Sequence, residues 1–384
     1  MDLTWSEDEE EFRFDVRTWL ASNVAAWRAE CDGEPASGDT RDGFAQHLRW
    51  ESRLFDAGLA AVSWPKEHGG RDASLWEWLL FEEEYYRAGG PPRVTQNGIF
   101  LLAPSVFEFG TPAQQTAILR RMAAGEDLWC QGWSEPNAGS DLAGVSSRAE
   151  RVAGGWILNG QKTWTTRGAF CTHLFGLFRT DPESERHKGL TYLLVPLATP
   201  GITVRGFGRL DGDEGFAEVF FEDAFLADDA IGGGVVLGEV GGGWSVAMAT
   251  AGSERGLTLR SPGRFLATAE RLVALARQHG DVTLQRRAAV AWMHADAYQQ
   301  QTLVTVTKLA TGAKPGAEAS LTKLWWSELD VELHAIALDV LGADAELENA
   351  WTKGWQFSLS GPIYAGTNEI QRNIAAERLL GLPR

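Results

Sequence analysis

Glu254 is a carboxylate set beside small residues, a setting that suits proton transfer. It lies in Ser253-Glu254-Arg255-Gly256 and follows Ala247 and Ala251 at i, i+4 and i+7 spacing. A helix carries residues so spaced on one face. Two alanines beside a carboxylate leave room for a ligand and a dry setting, which raises a carboxyl pKa toward neutrality. A Glu-Arg pair on a helix is also what a solvated face looks like, and that plainer reading stands beside the catalytic one. Near the C-terminus, Gly366-Thr367-Asn368-Glu369 reads as a helix start with free amides and a capping Thr. Such a start is a natural cradle for an anion or polar ligand. Its plainer reading is a helix N-terminus with no ligand. A third pair of segments is rich in hydroxyls, glycine and tryptophan: Ser134-Glu135-Pro136-Asn137-Ala138-Gly139-Ser140-Asp141 and Leu158-Asn159-Gly160-Gln161-Lys162-Thr163-Trp164-Thr165-Thr166. Turn residues between strands, with Trp164 in an ordinary core, are the alternative for these.

Bulk properties narrow the chemistry. The 384 residues suffice for two or three domains, each with its own core. A formal charge of −17 argues against nucleic-acid binding, which needs clustered Lys and Arg on phosphates. The acidic start MDLTWSEDEEEF has no cationic segment followed by an apolar one, so no signal peptide is expected. No apolar run reaches the ~20 residues of a membrane span. Cys31, Cys130 and Cys171 are odd in number and widely spaced, which suits reduced thiols and a cytoplasmic location. The seven His show no metal-site spacing, so no metal is expected. The 17 Trp are read mostly as helix-packing residues. No GxGxxG, Walker A or GxSxG motif occurs, which removes the usual support for a Rossmann dehydrogenase or a serine hydrolase.

The elements that must position these residues fall into three stretches. Residues 1–126 read as helical: acidic residues follow Ser6, and Thr111-Pro112-Ala113-Gln114 has the cap, first-turn proline and capping-box glutamine of a helix start. Gly89-Gly90-Pro91-Pro92 stops a helix over Trp76–Ala88. Residues 127–235 carry short β-branched and aromatic runs, Thr172–Phe178, Leu190–Leu197 and Ala217–Glu222, whose spacing predicts an antiparallel barrel or sandwich. Residues 236–384 read as a helical bundle with helices over Trp244–Gln278, Val282–Thr311, Ala317–Leu341 and Asn368–Leu380. The expected fold class is therefore α+β, with an N-terminal helical domain, a middle β domain and a C-terminal bundle.

Taken together in this order, the two middle segments and Ile363-Tyr364-Ala365-Gly366-Thr367-Asn368-Glu369-Ile370-Gln371-Arg372 resemble the acyl-CoA dehydrogenase family of flavoproteins over nearly the whole chain. The resemblance implies bound FAD. Ser134 stands where members usually have a Thr that contacts the ring near N5, and it keeps the hydroxyl. Trp164 matches the aromatic beside the flavin and Thr166 the second N5-side contact. Gly139 and Ser140 match the loop near the pyrophosphate, while Thr367 and Glu369 match C-terminal cofactor contacts. Arg277 is similar to an arginine that reaches a neighbouring subunit's cofactor, although the aromatic usual three residues later is Gly280. Substrate contacts carried over in the same way are Ser140, Arg255, Tyr364 and Gly366.

Two departures stand out. Ala365 occupies the position of the glutamate base in the best-known members, leaving its backbone amide to polarise the thioester oxygen. The wording around Glu254 is similar to the isovaleryl-CoA-dehydrogenase-like branch, whose glutamate sits on the earlier helix, which makes Glu254 the expected base. Asp339-Val340-Leu341-Gly342-Ala343 replaces the usual Gln and Gly-Gly pair at a cofactor contact between subunits. The implied reaction is α,β-dehydrogenation of an acyl-CoA or acyl-carrier-protein thioester to the trans-2-enoyl thioester, in fatty acid or secondary metabolism. An electron-transfer flavoprotein is the implied acceptor, and a homodimer or homotetramer the implied assembly. Two alternatives remain open: a flavin-dependent monooxygenase or oxidase on the same fold, and a non-catalytic subunit of a hetero-oligomeric dehydrogenase.

Overall fold

The computed structural model describes residues 4–31, 35–255, 261–279, 281–313 and 316–383, with the side chains of 253–255 left out. In chain order the helices and strands are α1 (Glu7–Glu30), α2 (Arg41–Asp56), α3 (Leu75–Arg87), α4 (Ala103–Phe109), α5 (Pro112–Ala123), β1 (Trp129–Gly132), β2 (Arg148–Val152), β3 (Gly155–Thr166), β4 (His173–Arg179), β5 (Leu190–Pro196), β6 (Ile202–Phe207), β7 (Phe216–Ala227), α6 (Gly243–Arg255), α7 (Pro262–His279), α8 (Val282–Ala310), α9 (Ala319–Leu341), α10 (Ala350–Ser358) and α11 (Asn368–Arg378). They fall into two compact units. One comprises residues 1–30, 73–90 and 255–384; the other comprises residues 31–72 and 91–254.

In the first unit, α7, α8 and α9 share one core. Phe265, Ala269, Leu272 and Ala276 recur at helical spacing on α7, facing Ala288, Ala291, Ala295 and Tyr298 of α8 and Trp326, Leu329, Leu333, Ile336 and Val340 of α9. Alanines on α8 against large residues on α9 let the helices approach closely while filling the space between them. Each large apolar side chain buried there contributes roughly 1.5–3 kcal/mol. A Cβ on Gly263 would lie 2.8 Å from the Glu82 carbonyl oxygen, so only glycine lets α7 meet α3 there. Glu84 of α3, almost fully buried, ties α1 down by accepting from Arg13 (2.8 Å) and Arg17 (2.8 Å) as well as from Arg87 (3.0 Å). Burial alone would raise the Glu84 carboxyl, but the arginines outweigh it and hold it at about 2.

The second unit is built on a seven-stranded sheet of order β1-β4-β2-β3-β7-β6, with β5 also paired to β4. Most pairings are antiparallel as expected, but β1–β4 and β2–β4 are parallel, so the sheet is mixed. Parallel neighbours need a long crossover. For β1–β4 it runs through residues 133–147 and the β2–β3 hairpin, and for β2–β4 through β3. The capping box at Thr111 forms as its sequence suggests, and Gln114 also donates from Nε2 to the carbonyls of Gly234 (2.9 Å) and Val236 (2.8 Å).

Two details of the helices differ from the sequence expectation. The helix expected over Trp244–Gln278 is two helices: α6 runs to Arg255, and α7 begins at Pro262, a residue suited to a first turn. A further helix, α10, starts from a capping box at Asn349 with Thr352 in the Glu/Gln position, which weakens the sequence signal. Trp164 is 61% exposed, which goes against the alternative of an ordinary core position.

Candidate flavin and acyl-thioester site

The second unit brings Ser134, Trp164 and Thr166 together at one end of the sheet. The Ser134 carbonyl accepts a hydrogen bond from the Thr163 N–H at 2.9 Å, docking the segment after β1 onto the end of β3. There β3 carries a register shift against β7 between Lys162 and Thr165, and Trp164 adopts φ +56°. A bulge re-aims a side chain, and a non-glycine residue in the left-handed region is strained. Both features turn the Trp164 ring outward, edge-on to Phe207 (5.4 Å) and Phe216 (5.5 Å). The Ser134 and Thr166 side chains are half-buried, and among the described residues neither hydroxyl has a hydrogen-bond partner. Gly139 and Ser140 are exposed, and a Cβ on Gly139 would meet no atom within 4 Å. Its missing side chain therefore serves no internal packing and leaves the backbone open to a ligand.

A buried ion pair that the sequence reading missed sets this geometry. Lys162, fully buried, donates from Nζ to Glu135 Oε1 (2.7 Å) and to the Leu177 carbonyl (2.7 Å). Glu135 also accepts from the N–H groups of Ser146 (2.7 Å) and Ser147 (2.9 Å). Burial pushes the Glu135 carboxyl up, but Lys162 and the two amides outweigh it and hold it at about 2. Burial likewise pushes Lys162 down and Glu135 pulls it back. Glu135 follows Ser134 directly and Lys162 precedes Trp164 by two, so the pair clamps both flanks of the site. The adjacency of a Glu and a Lys to the recognised hydroxyl and aromatic was the signal available in the sequence.

In the first unit, residues 362–371 form the second cluster. Ala365 (φ +58°) and Gly366 (φ +78°) are consecutive left-handed residues, and the Asn368 N–H closes the turn on the Pro362 carbonyl at 2.8 Å. Thr367 caps α11, its hydroxyl accepting from the Ile370 N–H at 3.3 Å. Among the described residues, the N–H groups of Ala365, Gly366 and Thr367 have no partner. Successive free amides of this kind form an anion-binding concavity. Glu369 is exposed in the first turn of α11, where backbone N–H and Thr367 hold its carboxyl below the usual range. Tyr364 is turned to the core, its ring 5.7 Å from that of Trp326.

Of the remaining sequence candidates, Glu254 lies in the last turn of α6 and Arg255 ends it, but the side chains of both are outside the described residues, as is Gly280. Ala247 and Ala251, the two alanines on the Glu254 face, are buried. Arg277 is exposed in the last turn of α7 and forms no ion pair among the described residues. No helix among the described residues is long and apolar enough to cross a membrane.

One unit thus carries an outward aromatic and two hydroxyls without partners among the described residues, and the other carries a run of amides suited to a negatively charged oxygen. The comparisons carry this to a family. The N-terminal, middle and C-terminal domains of acyl-CoA dehydrogenase match residues 6–126, 130–224 and 241–380. The chain is 42% identical over 394 residues to the acyl-CoA dehydrogenase IpdE1 of Mycolicibacterium smegmatis, covering 98% of each. It also matches the solved ChsE4-ChsE5 complex of Mycobacterium tuberculosis (26% identity, 100% of both chains, TM-score 0.84). The Tcur3481-Tcur3483 steroid ACAD shares the fold (24% identity, 100% of both chains, TM-score 0.87). The chain belongs to the acyl-CoA dehydrogenase family, whose members are flavoproteins using FAD. It is an oxidoreductase of that type, and its reaction is FAD-dependent dehydrogenation of an acyl-CoA.

Proposed function

We propose that this chain itself binds FAD and that Glu254 is the base for the acyl thioester. The observation that carries the first part is the pair of hydroxyls, Ser134 and Thr166, that have no partner among the described residues and lie at the same end of the sheet as the outward Trp164 ring. These groups fit an isoalloxazine: two hydrogen-bonding hydroxyls toward its edge and an aromatic wall beside it. Gly139 and Ser140 would lie along the pyrophosphate, with Thr367 and Glu369 as further cofactor contacts and Arg277 reaching the cofactor of a neighbouring subunit. When bound, FAD supplies the hydride acceptor for the β-hydrogen.

The chain's own groups do the rest. Glu254 takes the α-proton, and the buried alanines on its helix face support the dry setting that a carboxylate base needs near neutral pH. The Ala365 N–H, without a partner among the described residues, donates to the thioester oxygen and stabilises the charge that develops as the proton leaves. Arg255, Ser140, Tyr364 and Gly366 contact the thioester or its pantetheine. The product is the trans-2-enoyl thioester. We assign an electron-transfer flavoprotein as acceptor, a homodimer or homotetramer as the assembly, and 1–126, 127–235 and 236–384 as the domains; the location is cytoplasmic.

One observation favours a second reading, in which this chain pairs with a different one. Where the family has a Gln and a Gly-Gly pair, Asp339 instead forms a half-exposed ion pair with Arg287 (2.7 Å), and the solved relative ChsE4-ChsE5 is a complex of two chains. Anaerobic flavin bleaching across a panel of CoA and carrier-protein thioesters, with oxygen consumption recorded in parallel, tests the proposal. Bleaching by an acyl thioester without oxygen uptake is expected. Rapid oxygen consumption would favour an oxidase, and a chain without flavin that acquires it only beside a partner would favour the second reading.

A further inference from the structure

Two costly features and a buried polar cluster converge on the turn before α11. Ala365 is a non-glycine residue held at φ +58°, followed by Gly366 at φ +78°. Gln371, one turn into α11 and fully buried, donates from Nε2 to the carbonyl oxygens of Ala365 (2.9 Å) and Gly366 (3.3 Å), while its own Oε1 is buried with no partner among the described residues. Asn368, also buried, accepts from Lys323 Nζ (2.6 Å) and Ser327 Oγ (3.1 Å) of α9. Backbone strain and an unsatisfied buried polar atom each destabilise a fold. Both of them on one turn mark a functional constraint.

The peptide geometry says what the constraint achieves. In a trans peptide the C=O and the following N–H point in opposite directions. By holding the carbonyls of Ala365 and Gly366, Gln371 directs the N–H groups of Gly366 and Thr367 to the opposite side of the turn. With the Ala365 N–H these are the three amides that have no partner among the described residues. The assignment of Nε2 toward the carbonyls follows from chemistry, since only the NH₂ end of the side chain can donate to two acceptors.

We propose that Gln371 is a positioning residue: by holding the carbonyls of Ala365 and Gly366 it aims the amides of Gly366 and Thr367, beside that of Ala365, at the oxygen of the acyl thioester without touching substrate itself. The inference rests on the reading that the Ala365 amide polarises that oxygen. Glu254 removes the α-proton, and the electron pair left behind spreads onto the thioester oxygen. Correctly aimed amides stabilise that charge as it forms, whereas misaimed ones bind the ground state nearly as well and the transition state worse.

The test is stopped-flow anaerobic flavin reduction by FAD-loaded protein, using the acyl-CoA that bleaches the wild type fastest. Gln371→Met keeps the side chain's length and removes its donor. Its limiting reduction rate is expected to fall roughly 10–100-fold, with the half-saturating acyl-CoA concentration changed less than about threefold and FAD content unchanged. In Gln371→Glu an ionised carboxylate repels both carbonyls, but a protonated one donates its single hydrogen to one of them. Its rate, taken as a ratio to wild type at each pH, should therefore recover as the pH is lowered. Taking the ratio cancels the titration of Glu254. Wild-type rates in Gln371→Met overturn the inference while leaving the dehydrogenase reading intact. If Gln371→Met does not hold FAD, a pH-independent ratio in Gln371→Glu overturns it instead. A wild type that no acyl thioester bleaches removes the reading and this inference together.

Discussion

Lys162→Met removes the cation from the clamp behind the flavin site and leaves Glu135 buried without its charged partner. Glu135 is 5% exposed and Lys162 is not exposed at all. Removing one member of a buried ion pair costs roughly 3–5 kcal/mol, because the remaining charge is stranded in a low dielectric. For a unit of this size each kcal/mol moves the midpoint by a few degrees, so thermal unfolding should fall by on the order of 10 °C. Replacing both partners, in Lys162→Met with Glu135→Gln, removes the stranded charge and should regain part of the loss. The pH dependence has a definite sign. The Glu135 carboxyl sits at about 2, below its ordinary 4.5, so its contribution is complete above about 4.5 and is lost as pH falls toward 2. Lys162→Met removes the main attraction that lowers the carboxyl, so its stability should depend less on pH over that range. Release of fluorescent flavin on a thermal ramp reads both effects. A midpoint shift below about 2 °C, or a double variant as unstable as Lys162→Met alone, would refute the clamp.

Trp164→Ala should weaken FAD retention about tenfold, the loss of one aromatic contact of roughly 1.4 kcal/mol, with little change in folding because the ring is largely exposed; equilibrium dialysis of the flavin measures it. Flavin released by denaturation should chromatograph as FAD and not FMN. Light scattering should give a dimer or tetramer, and a monomer with full flavin occupancy would contradict the shared-cofactor assembly.

The sequence made the helical, β and helical stretches legible because their periodicities differ and their caps are strong, as at Thr111. It left the sheet's parallel pairings unread, since strand direction depends on which strands become neighbours and not on local pattern. Trp164 and Ala365 were legible as site positions through the resemblance, but their left-handed backbone was not, because neither is a glycine. Glu135, Lys162, Lys323 and Gln371 were missed as partners for a common reason. Each makes its bonds with groups distant in sequence or with main-chain carbonyls, and side-chain type alone does not indicate those.

The measurement that bears most directly on the chemistry is the anaerobic reduction rate of Glu254→Gln. The amide keeps the shape of glutamate but offers no carboxylate to take the α-proton. A positioned base contributes ~10²–10⁴-fold, so the acyl-thioester-dependent rate should drop by at least that order with FAD still bound. Reduction at the wild-type rate would place the base elsewhere and contradict the assignment of Glu254.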